Sequence, residues 1–300
     1  MRVGPDPEGG GFPSRGQFAV VPFTIGPAPG AVSIADLDLS ALRFDAPREV
    51  ARGGTCRPSF VPDGRLVVGS ILLEPATGVT VDLAVEAAEL AWSPERDKLA
   101  ILTADRKEIR MAAPDASDPT TVVREARGLI SSLSWAHDGS RLAYVARSEP
   151  GVRGGPGAPT VFVLNLITGE TTSAGGGVAV AWSPAEERIA VETADGRIEF
   201  SDPAGARAPF TDGGDPAWTP DGAAVVFLRG PEVGEVWAAK AADPGRSIRL
   251  VEGAICGAAI SPSGLALASV SGEGEARTLQ LRRIVLPPTP PPAQGMSSEG

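Results

Sequence analysis

Short apolar runs separated by polar turns follow one another along most of the chain. The clearest copy runs from Asp215 to Leu228, where a strand ends at Trp218, a Thr-Pro-Asp-Gly turn follows, and an apolar run begins at Ala223. Proline pre-sets the first central position of such a turn, and glycine takes the positive φ that other residues resist. The pattern therefore predicts a β-hairpin centred on this turn.

Six copies of this hairpin align on a large apolar anchor residue that precedes the turn. The anchors are Phe60, Trp92, Trp135, Trp182, Trp218 and Ile260. Their spacings are 32, 43, 47, 36 and 42 residues. A repeat of roughly 40 residues is the length of one four-stranded propeller blade. We therefore expect an all-β fold, a β-propeller of six or seven four-stranded antiparallel blades.

A small residue directly precedes every anchor. These residues are Ser59, Ala91, Ser134, Ala181, Ala217 and Ala259. Because side chains alternate between the two faces of a strand, the anchor and the small residue point in opposite directions. A bulky face opposed to a small one suits innermost strands that crowd around a common axis.

The chain ends decide the blade count and the domain limits. Residues 1–11 are predicted to be a flexible Gly/Pro-rich N-terminus, residues 12–286 a single propeller domain, and residues 287–300 a disordered Pro-rich tail. The N-terminal and C-terminal segments are expected to complete each other and close the ring, since an open ring leaves unpaired edges. Seven blades result if residues 12–52 form a blade of their own, and six if they only complete the last sheet. The apolar segments around Val20 and Ile34 favour seven.

The turn motif, best preserved from Trp218 to Gly222, resembles the WD40-like (PD40) repeat of TolB-type propellers over roughly residues 55–286. It is also similar to the repeats of propellers attached to prolyl-oligopeptidase-type peptidases. The resemblance implies the propeller fold. For the TolB family it further implies a periplasmic partner of an outer-membrane lipoprotein with an additional N-terminal α/β domain, and this sequence shows no such domain.

Composition narrows the classes of partner. The net charge of −10 argues against a nucleic-acid groove, which needs clustered Lys and Arg. No apolar run approaches the ~18 residues of a membrane span. No signal peptide is visible, so we expect a cytoplasmic protein, or a periplasmic or extracellular one if a leader was removed. The excess of Arg over Lys, with the Ala, Gly and Pro bias, is typical of a bacterial genome rich in G and C.

The two cysteines, Cys56 and Cys256, each lie four residues before an anchor, in the first and last full repeats. Two cysteines are too few for a disulfide scaffold. Neighbouring blades usually hold equivalent Cα atoms farther apart than the ~4.4–6.8 Å that a disulfide requires. Two buried free cysteines are therefore expected.

No catalytic or metal motif stands out. The single histidine, His137, occupies the proline position of a turn and is interpreted as a solvent-exposed substitution. One His and two Cys make a zinc site improbable, and no G-x-S-x-G elbow or phosphate loop appears. The Asp-Gly pairs suit tight turns better than calcium binding. We expect no metal and no cofactor.

Binding residues are predicted at one mouth of the central funnel, three positions before the anchors. Arg57, Glu89, Ser132 and Asp215 would direct polar groups there. The alternative is that these side chains only satisfy hydrogen bonds of the loops.

Three functions remain compatible with the sequence. The preferred one is a non-catalytic interaction module, or scaffold, that binds a protein or peptide partner at the funnel face. The second is an enzyme that processes a small molecule in the funnel, with Glu89 and Asp215 as acid/base candidates and Arg57 binding an anion. The third is a sensor that binds a small ligand without turnover. The absence of a nucleophile or metal motif favours the first.

Overall fold

The computed structural model of the chain describes residues 43–44, 46–52, 58–125, 128–148, 157–230, 234–264, 266–272 and 277–285. Over these ranges all regular elements are β-strands. The described residues contain no helix long and apolar enough to cross a membrane. The predicted all-β class is confirmed. The predicted flexible N-terminus and Pro-rich tail, and the segments around Val20 and Ile34, lie outside the described residues.

Two short strands come first, β1 (Arg43–Phe44) and β2 (Arg48–Arg52). Four sheets of four antiparallel strands follow in chain order. Sheet 1 holds β3 (Ser59–Phe60), β4 (Leu66–Val68), β5 (Ile71–Leu73) and β6 (Thr80–Asp82). Sheet 2 holds β7 (Ala87–Trp92), β8 (Leu99–Thr103), β9 (Glu108–Ala112) and β10 (Thr120–Arg124). Sheet 3 holds β11 (Gly128–Trp135), β12 (Arg141–Ser148), β13 (Thr160–Asn165) and β14 (Thr171–Gly176). Sheet 4 holds β15 (Ala179–Trp182), β16 (Ile189–Glu192), β17 (Arg197–Ser201) and β18 (Arg207–Asp212).

Sheet 5 has eight strands and contains two repeats. Two of them are β1 and β2. The other six are β19 (Gly214–Trp218), β20 (Ala224–Arg229), β21 (Gly234–Lys240), β22 (Asp243–Ile260), β23 (Ala266–Ser271) and β24 (Thr278–Val285). The first part of β22 pairs with β21, and its last part, from Ile255, pairs with β23. The chain thus passes from the outermost strand of one repeat to the innermost strand of the next without leaving the sheet.

The predicted count of six or seven blades is therefore wrong for the sheets that the structure describes, which number five. The physical reason is the continuity of β22, which joins two repeats that the sequence pattern treats as separate. The two halves of sheet 5 nevertheless pack face to face. Val226 and Ala238 of the first half share a buried cluster with Leu267 of the second half.

The first and last described strands meet in the last half of sheet 5. Both β1 and β2 pair antiparallel with β24, with Phe44 opposite Ile284 and Arg52 opposite Thr278. This half also packs against sheet 1, since Leu66 and Leu73 are buried in one cluster with residues of β23 and β24. The described strands thus form a propeller-like ring of antiparallel sheets. The N-terminal strands β1 and β2 form the outer edge of the last half of sheet 5.

The tryptophan anchors pack each sheet onto the preceding one. All four are buried, with exposed fractions between 4% for Trp182 and 9% for Trp218. Trp135 lies in a cluster with Leu102 of sheet 2, and its Nε1–H donates a hydrogen bond to the carbonyl oxygen of Ala91 at 2.9 Å. Trp218 donates in the same way to Ala181 at 2.9 Å. Repetition of the sequence motif therefore produces repetition of the contact between sheets.

The prediction of two free cysteines is wrong. Cys256 is disulfide-bonded, and no cysteine is free among the residues that the structure describes. The only other cysteine of the chain, Cys56, lies outside the described residues. The prediction applied the usual spacing of equivalent positions in neighbouring blades. Cys256 instead packs, as Phe60 does, against the buried cluster between sheet 1 and sheet 5, where the first and last repeats meet.

Candidate functional site

A central channel with a volume of about 570 Å³ runs along the axis of the ring. Its wall is formed by the innermost strands, which are β3, β7, β11, β15, β19 and the last part of β22. The small residues that precede the anchors all line it, namely Ser59, Ala91, Ser134, Ala181, Ala217 and Ala259. The predicted crowding of innermost strands around an axis is thus confirmed. The channel exists because these side chains are too small to fill it.

The turns add a ring of proline side chains to the channel wall. These are Pro62, Pro94, Pro184, Pro220 and Pro262. Their place in the turn motif predicts only a turn-forming role, so their second role in the channel wall was missed. The signal was present, because each proline lies two residues after its anchor. In the one remaining turn, which follows Trp135, His137 occupies the proline position. Its Nδ1 lies 3.6 Å from Glu187 Oε1, and its side chain is 32% exposed, which is less than expected.

The other end of the channel is polar. Of the four predicted binding residues, Glu89, Ser132 and Asp215 line the channel, and Arg57 lies outside the described residues. Glu89 belongs to β7 and Asp215 to β19. Two innermost strands separate these strands in either direction around the ring. The two carboxylates therefore occupy opposite walls.

Glu89 connects sheet 2 to sheet 3. Its Oε1 accepts a hydrogen bond from the backbone N–H of Leu133 at 2.8 Å, and its Oε2 accepts one from the N–H of Ser132 at 3.1 Å. A register shift between Ala87 and Glu89 interrupts the pairing of β7 with β8 just before this side chain. Such bulges redirect a side chain out of the regular alternation of a strand. The Glu89 carboxylate is thereby held in one position by the backbone of the next sheet.

Ser132 connects sheet 3 to sheet 4. It is 2% exposed and has a φ of 59°, and the pairing of β11 with β12 shifts register around it. Its Oγ accepts a hydrogen bond from the N–H of Val180 at 2.9 Å and lies 3.4 Å from the carbonyl oxygen of the same residue. The hydroxyl therefore satisfies backbone groups of the neighbouring innermost strand.

Glu192 makes a contact between sheets that the repeat pattern does not predict. At the equivalent position of β15 stands Ala179, which cannot accept a hydrogen bond, and the residue paired with it on β16 is Glu192. Glu192 Oε2 accepts a hydrogen bond from the N–H of Asp215 at 2.8 Å, and Asp215 has a φ of 49°. A carboxylate thus links sheet 4 to sheet 5 as Glu89 links sheet 2 to sheet 3. The signal in the sequence was a charged residue at the end of an apolar run.

We expect Glu89→Ala to lower the free energy of unfolding by about 1–3 kcal/mol, because two backbone N–H groups lose their acceptor. Urea denaturation of the variant and the wild type measures the change. The matched control is Glu86→Ala, which removes an exposed glutamate three residues earlier and is expected to change stability by less than about 0.5 kcal/mol. Equal losses in the two variants would show that the cross-sheet bonds contribute nothing.

The Asp-Gly pairs act as turn residues in the structure. Asp138 Oδ1 accepts a hydrogen bond from the N–H of Ser140 at 3.0 Å, and Asp221 Oδ1 accepts one from the N–H of Ala223 at 3.1 Å. Burial works to raise the pKa of Asp138, but hydrogen bonds from Ser140 and the charge of Arg141 outweigh it and lower the pKa below its ordinary value. Within the described ranges, no three His, Cys, Asp or Glu side chains are grouped closely enough to hold a metal ion.

Comparison with known protein families and with curated protein sequences finds no match. Solved structures do match. An oligogalacturonate lyase in complex with manganese superposes with a TM-score of 0.54 at 14% identity, covering 82% of this chain and 97% of that one. Oligogalacturonate lyase from Vibrio parahaemolyticus gives a TM-score of 0.53 at 9% identity, covering 77% of this chain and 90% of that one. The β-propeller domain of Myceliophteria thermophila Cps50 (Swd1) gives 0.50 at 13% identity, covering 70% and 68%.

These likenesses establish the β-propeller fold. They also correct the preferred functional prediction, a non-catalytic module that binds a protein or peptide. Two of the structures that superpose over most of this chain are lyases, which are enzymes, so the ring gives no reason to prefer an interaction module. The prediction relied on the absence of sequence motifs, and a propeller can place catalytic groups around its axis without a contiguous motif.

Proposed function

We propose that the protein is an enzyme that acts on a small molecule held in the central channel. The observation that carries the proposal is the pair of carboxylates, Glu89 and Asp215, on opposite walls of one channel. The channel volume of about 570 Å³ lies within the ~300–1,000 Å³ range of small-molecule sites. A ligand in the channel would be surrounded by the innermost strands, with Glu89 on one wall and Asp215 on the opposite wall.

The two carboxylates suit different roles in proton transfer. Both oxygens of Glu89 accept backbone hydrogen bonds, so its position beside the ligand is fixed. Asp215 lies on the facing wall at a bulge of β19, where the register shifts between Gly214 and Ala217. We assign Asp215 the role of general base or acid, a contribution typically worth about 10²–10⁴ in rate.

The likeness to the oligogalacturonate lyases supports enzymatic use of the ring.

We expect Asp215→Asn to lower kcat/KM at least 100-fold for whichever compound the wild type consumes. Asn tolerates the positive φ of Asp215, so the fold is retained. The measurement is mass spectrometry of a mixed small-molecule library incubated with each protein. The matched control is Asp118→Asn, which changes an exposed aspartate with a similar φ of 51° away from the channel. Binding without consumption of any compound, or equal turnover by Asp215→Asn, would overturn the proposal.

Two further assignments accompany this function. The Trp-Thr-Pro-Asp-Gly turn supports kinship with TolB-type repeats, which we retain as a proposal.

Of the compartments left open by the sequence, we propose the periplasmic or extracellular one. Cys256 is disulfide-bonded, and structural disulfides persist in oxidising compartments. Mass spectrometry of the protein alkylated directly in cell fractions would show a blocked pair of thiols if this holds, and two alkylated thiols if it does not.

A further inference from the structure

One indole N–H at the channel wall lacks an acceptor. In two other sheets, the anchor tryptophan donates its indole N–H to the carbonyl oxygen of a channel-lining small residue of the preceding sheet. Trp135 donates to Ala91 and Trp218 to Ala181, both at 2.9 Å. Trp182 lines the channel and is 4% exposed, but its Nε1 is buried and makes no hydrogen bond with the described residues. A buried donor without an acceptor costs about 1–3 kcal/mol, which an acceptor on a ligand would recover.

A second donor lies at the same contact between sheet 3 and sheet 4. Ser134 lines the channel and precedes the anchor of sheet 3, as Ala91 and Ala181 precede theirs. Its Oγ accepts a hydrogen bond from the backbone N–H of Trp182 at 2.8 Å. The hydroxyl makes no other hydrogen bond with the residues that the structure describes, so its proton is available. The repeat geometry therefore places two unused donors beside each other on the channel wall.

We propose that this contact binds a carbonyl group of the small molecule in the channel. The inference rests on the proposed function and adds a substrate class to it, a compound that carries a carbonyl group. The indole N–H of Trp182 donates to the carbonyl oxygen, and the hydroxyl of Ser134 donates to the same group.

A carbonyl group matches the donors that the wall offers. The indole nitrogen of Trp182 donates and cannot accept, and one lone pair of Ser134 Oγ is already occupied. A carbonyl oxygen has two lone pairs and brings no proton of its own. An amine or a hydroxyl group brings protons that need acceptors. A site built to hydrogen-bond one substrate group rejects analogues that lack it, because its own polar groups are then left unpaired.

The contact lies within reach of the acidic end of the channel. Ser134 follows Ser132 by two residues on β11, and the N–H of Ser132 donates to Glu89. Two strand residues span roughly 7 Å, which is the length of a small molecule. Trp182 and Ser134 therefore hold the carbonyl end of the substrate, while the acid or base assigned to Asp215 acts on another of its atoms. They are specificity residues and take no part in the proton transfer.

The test follows the indole N–H resonances of the nitrogen-15-labelled full chain by NMR during titration with cyclohexanone. The chain has five tryptophans, and single tryptophan-to-phenylalanine variants assign their resonances. The Trp182 resonance is expected to move downfield more than any other, because a new hydrogen bond deshields its proton. Cyclohexene, the same ring without an acceptor, should not move it downfield. Cyclohexanol should bind at least about threefold more weakly than cyclohexanone.

Two phenylalanine variants supply the matched comparison. Trp182→Phe keeps an aromatic ring and removes the unused donor, so it should weaken cyclohexanone at least about threefold. Trp135→Phe removes an indole N–H that is already bonded, at a residue outside the described channel lining, and should bind cyclohexanone within twofold of the wild type. If the melting temperature shows Trp182→Phe to be unfolded, Ser134→Ala replaces it, with the same expected loss.

The outcomes separate this inference from the proposed function. An unmoved Trp182 resonance, equal binding by Trp182→Phe, or equal binding of cyclohexanol overturns the inference, and a bound water is then the simpler acceptor. If a compound without a carbonyl group is consumed in an Asp215-dependent manner, the enzyme proposal stands and the carbonyl site does not. If cyclohexanone binds at Trp182 and no compound of the library is consumed, the carbonyl site stands and catalysis does not.

Discussion

Trp182→Ala is expected to lower the free energy of unfolding by about 3–5 kcal/mol, one of the two largest effects foreseen for this chain. Trp182 is 4% exposed and lies in one buried cluster with Ala143 and Val145 of sheet 3, so its removal opens a cavity between sheets 3 and 4. The guanidinium of Arg141, 5.1 Å from the ring centroid, loses its aromatic partner as well. Urea denaturation measures the loss, and a value below about 1 kcal/mol would show that Trp182 is not a packing anchor.

Replacing Trp135 and Trp182 separately by phenylalanine tests the role of the indole hydrogen bond. Trp182 Nε1 is buried and makes no hydrogen bond among the described residues, whereas Trp135 Nε1–H donates to the carbonyl oxygen of Ala91. Trp135→Phe therefore deprives the partly buried carbonyl oxygen of Ala91 of its donor, and Trp182→Phe removes no hydrogen bond. We expect Trp135→Phe to be the more destabilising of the two by about 1 kcal/mol. The reverse order would contradict the assigned hydrogen bond.

Reduction of the disulfide at Cys256 is the second large effect. The only other cysteine, Cys56, lies 200 positions away in the sequence, so an intrachain bond would close a long loop of the unfolded chain. In the chain-entropy account, such a closure stabilises the folded state by about 5 kcal/mol. We expect urea denaturation with dithiothreitol to show a loss of this order. The double variant Cys56→Ser with Cys256→Ser should be as unstable without dithiothreitol as the reduced wild type is. Its stability should not change when the reductant is added. A wild type that is indifferent to dithiothreitol would contradict the expectation.

The sequence predicted those parts of the fold that are local. Each hairpin joins residues close in the chain, and the Trp-x-Pro turn followed by an apolar run is sufficient to predict it. The small residue before each anchor also predicted the channel wall correctly. The continuity of β22 was not predictable in this way. Gly253 lies within the strand with a φ of 124°, a residue and conformation that the sequence alone associates with a turn.

The candidate site was predictable in position but not in its contacts. The offset of three residues from the anchor placed Glu89, Ser132 and Asp215 at one end of the channel, where they lie. Their hydrogen bonds reach residues of the next sheet more than 40 positions away in two cases, as from Glu89 to Leu133, and such pairs follow from the curvature of the ring. Glu192 escaped notice for the same reason, because its importance depends on the alanine paired with it.

The unbroken strand β22 has a consequence for how the ring opens. Strands of separate sheets can lose their pairing one sheet at a time, but the two halves of sheet 5 share a single backbone ladder through Ile255, which is paired with both Gly234 and Ser271. These two repeats should therefore form one cooperative unit in native-state hydrogen exchange. Their amides are expected to share one opening free energy, while those of sheets 1 to 4 exchange in sheet-sized groups.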